Sequence, residues 1–144
     1  MKNSKNTYNL SIENIKSKII HFFDLNNDIV SVYLFGSIVT NRLNDESDID
    51  IAIILKNSKE YKVPDKIQIR EELSELLGRD VDVVYLNDAP VILRMQVFRK
   101  GIKLFDRNPN VTNTLIVKSQ FEYDDLKYIR SPIERQILRG RVYG

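Results

Sequence analysis

Gly36-Ser37, a spacer of ten residues, and then Asp48-x-Asp50 at the head of an apolar run are the residues in this sequence whose types and spacing suit chemistry. Side chains alternate across a strand, so Asp48 and Asp50 project to one face while Ile49, Ile51 and Ile53 project to the other. Asp82 opens a later apolar run, flanked by Val81 and Val83, where a charge interrupts the pattern. If the two runs are neighbouring strands, three carboxylates converge. Like charges that close raise one another's pKa and destabilise a fold unless a cation neutralises them. Oxygen donors without His or Cys select a hard divalent ion, most simply Mg²⁺.

Mg²⁺ held by carboxylates usually shares its remaining positions with substrate phosphates. Gly36-Ser37 supplies the matching half, because a turn that follows a strand and leads into a short helix aims backbone N–H groups at an anion, and glycine permits close approach. The Ser37 hydroxyl adds a donor. The spacer returns the chain to the sheet beside the turn, so carboxylates and phosphate cradle face one pocket. Such a pocket suits two-metal phosphoryl transfer, in which the ions activate the attacking oxygen and steady the charge developing on phosphorus. By composition alone the four positions would coincide in on the order of one chain in a thousand. The pattern is therefore read as a site and not as a hairpin turn followed by a solvated strand end.

The elements that must position these residues follow from periodicity. Ile12, Ile15, Ile19 and Phe22 form an amphipathic stripe, with Ser11 as N-cap. Asp24 to Asp28 carries turn residues, and Ile29 to Phe35 reads as a strand ending at Gly36. A second strand spans Asp48 to Leu55. Pro64 opens a helix through Leu77, with apolar positions at Ile67, Ile69, Leu73, Leu76 and Leu77 and Gly78 as its stop. Val81 to Leu86 is the third strand, Pro90 starts a helix to about Lys100, and Ile102 to Phe105 is a short edge strand. Beyond Pro109 the spacing predicts a helical segment over 109–144, interrupted near Pro132. The expected class is α/β or α+β, a small mixed sheet flanked by helices.

The whole chain reads as one domain, 1–144, with 22 Lys+Arg against 20 Asp+Glu, a net charge of +2 and 42% hydrophobic residues. The absence of cysteine excludes a disulfide framework, a thiolate metal site and a cysteine nucleophile, and fits a cytoplasmic setting. No apolar run approaches the roughly 18 residues of a membrane helix. A charge this near neutral gives no general nucleic-acid signal.

Phe35-Gly36-Ser37, Ser47-Asp48-Ile49-Asp50 and Val81-Asp82-Val83-Val84 resemble the signature of the nucleotidyltransferase superfamily related to DNA polymerase beta. The short length resembles its minimal branch, the MntA-type antitoxins found beside HEPN-domain toxins. That likeness implies that Gly36 and Ser37 bind the triphosphate of ATP and that Asp48 and Asp50 hold Mg²⁺. It further implies that Asp82 completes the metal site and helps deprotonate the acceptor. The implied reaction is transfer of AMP to a tyrosine of a partner HEPN ribonuclease, which silences it. Many relatives carry Gly where Asn41 stands; Asn tolerates a left-handed backbone, and Arg42 then becomes the cation near the phosphates. Ser47 supports a carboxylate or phosphate.

Two other functions fit the same residues: nucleotidyl transfer to a small molecule or RNA end, and a non-catalytic antitoxin that masks its partner by contact. An intact carboxylate trio argues against pure masking, since a binding surface has no need of three crowded like charges. His21 is the single histidine and makes no metal site. Asp45 and Glu46 read as solvated loop acids, and Arg135, Arg139 and Arg141 as a local basic patch on a solvated face.

Overall fold

The computed structural model describes residues 4–39, 48–56 and 64–143, with side chains for 12–39, 48–56 and 64–128. In chain order the elements are α1 (Ser4–Phe22), β1 (Ile29–Phe35), a 3₁₀ turn (Gly36–Ile38), β2 (Ile49–Leu55), α2 (Lys66–Leu77), β3 (Val81–Tyr85), α3 (Val91–Lys100), β4 (Ile102–Asp106) and α4 (Pro109–Tyr143). The four strands form one mixed sheet in the order β3-β2-β1-β4. β1 is antiparallel to both β2 and β4, whereas β2 and β3 are parallel. A parallel pair needs a crossover connection, and α2 lies within it.

Both faces of the sheet are covered. On one, Ile15, Ile19 and Phe23 from the first helix and its turn, with Ile69 and Leu73 of α2, pack on Leu34, Ile49, Ile51 and Ile53. On the other, Val97 of α3 packs with Tyr33, Ala52 and Ile54, and Val111 and Leu115 of α4 lie against them. β2 is thus buried on both sides, which explains why its sequence is almost continuously apolar rather than alternating. Each fully buried Ile contributes about 1.5–3 kcal/mol, and this strand holds four of them at zero exposure.

Polar contacts close the ends of the elements. The Arg107 guanidinium donates to the carbonyls of Phe23, Asn26 and Ile29, tying the exit of β4 to the exit of α1. Asn87 accepts from the Leu55 N–H at 2.8 Å and donates to the Leu55 carbonyl at 3.1 Å, satisfying the end of β2. Asp65 caps α2 by accepting from the N–H groups of Ile67 and Gln68, and Gly78 ends it in the left-handed conformation.

Three expectations need correction. α1 begins at Ser4 and runs through Ser11, so Ser11 is not its N-cap; no Gly or Pro stands between, and extending a helix adds one hydrogen bond per residue without a new nucleus. Phe22 of its stripe packs against the core only in part, and the fully buried ring is that of Phe23, just past the helix end. In α2 only Ile69 and Leu73 are buried, while Ile67 and Leu76 face outward, because the helix meets the sheet along a narrow stripe. α4 continues past Pro132; a proline removes one intrahelical bond, and the good helix formers on both sides carry the helix on.

Candidate active site

The end of the sheet at which β1 finishes and β2 and β3 begin gathers the residues of interest. Strand register sets Phe35 opposite Asp50, and Asp50 opposite Asp82. Ile49 and Ile51 of β2, and Val81 and Val83 of β3, are buried in the core beneath α1 and α2. Alternation therefore turns Asp50 and Asp82 to the opposite face, the same face for both. Asp82 is exposed, Asp48 just outside β2 is exposed, and Asp50 is half-buried.

Gly36 follows Phe35 with φ +77°, a conformation glycine adopts without steric cost. A Cβ built on Gly36 would lie 2.1 Å from Asp50 Oδ2. The carboxylate thus lies directly across the Cα of the glycine, and the turn and the acid interlock. Burial pushes the Asp50 carboxyl above the usual carboxylate range, and the charges of Asp82 and then Asp48 push it further the same way.

Among the described residues no group of three or more acidic, His or Cys side chains is arranged to hold a metal ion by itself. Asp48, Asp50 and Asp82 offer only oxygen, and their mutual repulsion favours a cation beside them. Both features suit Mg²⁺, which is ordinarily bound through one or two carboxylates with water and substrate phosphate completing the shell. Ser37 sits in the turn, half-buried, with Ile38 behind it in the core. Arg42 and Ser47, with Asn41, Asp45 and Glu46, lie outside the described residues. His21 is on the surface beside Asp24, 3.5 Å from its carboxylate and away from this site.

A cleft of about 480 Å³ adjoins the carboxylates, bounded by Asp48, Asp80 and Asp82 at the strand starts and by Arg70, Glu71 and Ser74 of α2. Sequence reasoning missed these helix residues. Arg70 and Glu71 lie four and three residues before Ser74, so each neighbours it on the surface of α2, but the pattern holds no sign of which strand end that face overlooks. The Ser74 hydroxyl accepts the Val81 N–H at 3.1 Å, and the Asp80 carbonyl accepts the Ile49 N–H at 2.9 Å, so helix and strand starts are joined around the cleft. No helix among the described residues is long and apolar enough to cross a membrane.

The family described as Polymerase beta, Nucleotidyltransferase matches residues 17–110, which include every element from the end of α1 through β4. A candidate protein adenylyltransferase of Methanocaldococcus jannaschii is 30% identical over 93 residues, 65% of this chain and 97% of that protein. A crystal structure of a toxin–antitoxin with AMP-PNP superposes with a TM-score of 0.70 at 27% identity, covering 85% of this chain and 98% of that one. A tri-AMPylated HEPN toxin in complex with MNT antitoxin from Shewanella oneidensis matches with a TM-score of 0.66 at 26% identity, over 88% of this chain and 98% of that chain.

Proposed function

This chain belongs to the polymerase beta nucleotidyltransferase family, and on that premise we propose that it is the antitoxin of a HEPN-family ribonuclease, transferring AMP from ATP to a tyrosine hydroxyl of that partner in a Mg²⁺-dependent reaction. The observation that carries this reading is the register that sets Asp50 of β2 opposite Asp82 of β3 and opposite Phe35 at the end of β1, with the Gly36 turn directly after it and against the Asp50 carboxylate. The AMP-PNP and tri-AMPylated complexes of its structural relatives support ATP as donor and a HEPN protein as acceptor.

Each residue has a part that its position supports. Gly36 lets the Asp50 carboxylate close on the turn, whose backbone would meet the triphosphate, and Ser37 would donate its hydroxyl to a phosphate oxygen. Asp48, Asp50 and Asp82 would hold the ion. Bound there, Mg²⁺ would offset their repulsion, withdraw charge from the phosphates and ease deprotonation of the acceptor hydroxyl. The Asp82 carboxylate takes the tyrosine proton as the tyrosine oxygen bonds to the α-phosphorus. The bond from that phosphorus to the β-phosphate oxygen breaks, and pyrophosphate leaves. For Arg42 and Ser47, which lie outside the described residues, phosphate contacts are proposed from the sequence motif alone.

The test is incorporation of label from α-labelled ATP into a co-expressed HEPN partner. Asp48→Asn and Asp50→Asn should each cost about 4 kcal/mol of transition-state stabilisation, on the order of a thousandfold in rate. Chelating Mg²⁺ should abolish incorporation. Full neutralisation of the partner by both variants would instead establish masking by contact.

A further inference from the structure

We propose that Phe35 is a positioning residue for the carboxylate site: its ring blocks the retreat of the Asp50 carboxylate from Asp82 and so fixes the spacing at which the two acids receive a divalent ion. This role rests on the nucleotidyl-transfer reading of the Asp48, Asp50 and Asp82 site and adds an apolar residue to it.

Register supplies the placement. Phe35 is the last paired residue of β1 and stands directly opposite Asp50, whose neighbour on the other side is Asp82 of β3. The Phe35 backbone is still extended, with φ −146° and ψ −179°, so the alternation of side chains holds up to it. Leu34 belongs to the core beneath α1 and α2, whereas Phe35 packs with Tyr33, Ala52 and Val97 on the other face, the one that Asp50 and Asp82 share. Side chains directly opposite on one face have Cβ atoms about 4.5–5.5 Å apart. Asp50 is thus flanked by a phenyl ring on one side and by a like charge on the other.

Repulsion and contact then set the carboxylate. The position a Gly36 Cβ would take is 2.1 Å from Asp50 Oδ2 and 3.1 Å from its Cγ, which puts that end of the carboxylate on the β1 side of its strand, away from Asp82. Like charges on neighbouring strands drive it in this direction. The Phe35 ring limits how far it goes. That ring is half-buried and packs on the cluster beneath α3, where Tyr33, two residues earlier on the same face, is braced edge-on by Phe98 with ring centroids 5.8 Å apart. Being apolar, the ring fixes the place of the carboxylate without taking a hydrogen bond from the oxygens that would meet the ion. With a small side chain at position 35 the carboxylate gains room to move further from Asp82, and the pair becomes a looser receptor.

The experiment measures AMP-PNP binding to the full chain as Mg²⁺ is titrated, together with the melting temperature, for the parent, Phe35→Ala, Phe35→Leu and Leu93→Ala. Leu93 packs on the same cluster from α3 and controls for lost packing. Phe35→Ala should raise the Mg²⁺ concentration needed for half-maximal binding about tenfold, as loss of a group that orients a metal ligand does. Phe35→Leu keeps a branched apolar wall and should return that concentration to within about twofold of the parent. Leu93→Ala should lower the melting temperature with the Mg²⁺ requirement unchanged. Should Phe35→Ala fail to fold, Phe35→Val, which keeps a strand former and removes the reach of the ring, is expected to shift the requirement in the same direction. An unchanged Mg²⁺ requirement in the folded Phe35 variants, or an equal rise in Leu93→Ala, would reduce Phe35 to a packing residue and overturn the proposal. AMP-PNP binding by the parent that is indifferent to Mg²⁺ would overturn it while leaving nucleotide binding in place. Failure of the parent to bind AMP-PNP at all would remove the nucleotidyl-transfer reading as well.

Discussion

A methyl group on Gly36 would collide with Asp50 Oδ2 and would also hold a side chain at φ +77°. Gly36→Ala is therefore expected to displace the carboxylate as well as strain the turn. The strain costs about 1–2 kcal/mol of stability, while activity should fall at least a hundredfold, because a catalytic group moved by about an ångström loses that much. Thermal unfolding and label incorporation, measured on the same preparation, check both. A Gly36→Ala protein with full activity would show that the interlock of turn and acid has no catalytic role. The glycine's importance is legible in the sequence, since Gly-Ser after a β-branched strand signals a turn. Its contact with Asp50 is not, because fourteen positions separate the two residues and only strand pairing brings them together.

Elements hold their places through a few buried polar links. Arg94 of α3 is nearly buried and donates to the Ala89 carbonyl at 3.1 Å, to Ser119 Oγ at 2.9 Å and to the Glu122 carboxylate, the last two on α4. Arg94→Met should cost about 2–3 kcal/mol, since it leaves Ser119 and the Ala89 carbonyl short of a partner. Glu122 keeps 38% of its side chain exposed and rehydrates readily, so Glu122→Gln should cost less than about 1 kcal/mol. Denaturant titration of the two variants reads the difference; equal costs would mean that the pair, rather than the buried donor, joins α3 to α4. Strand and helix boundaries around the site were readable from periodicity and turn residues, as β1, Gly36 and Gly78 illustrate. The entry into α1 and the passage through Pro132 were not, because helix propagation overrides a local cap or breaker when the flanking residues favour helix.

Over the whole molecule, the crowding of acids at one sheet end is a stability cost as well as a site. Asp50 is raised above its usual range when folded, first by burial and then by Asp82 and Asp48. The folded form therefore holds that proton more tightly than the unfolded chain. Its favourable contribution is complete at pH below the ordinary carboxylate range and is lost as pH rises through the folded value. Without metal, Asp50→Asn should accordingly unfold about 2–4 °C higher than the parent chain near neutral pH, and the gap should close as pH falls toward 4. Added Mg²⁺ should raise the melting temperature of the parent and leave that of the variant unmoved. A gap that persists at low pH would assign the effect to packing instead of charge.

The chain's own order of residues determined the chemistry available: oxygen-only acids at Asp48, Asp50 and Asp82, a glycine turn at Gly36, and apolar runs that fold as strands and helices. These properties are local, set by side-chain type and by spacing within one element. Tertiary structure alone decided that β2 and β3 pair in the register that sets Asp50 opposite Asp82, that the Asp50 carboxylate lies across Gly36, and that Arg70 and Glu71 of α2 overlook the same strand end. Those juxtapositions depend on which strands become neighbours and how a helix crosses between them. That choice is made by burial of both faces of β2 together, a property of the assembled core that no single segment carries.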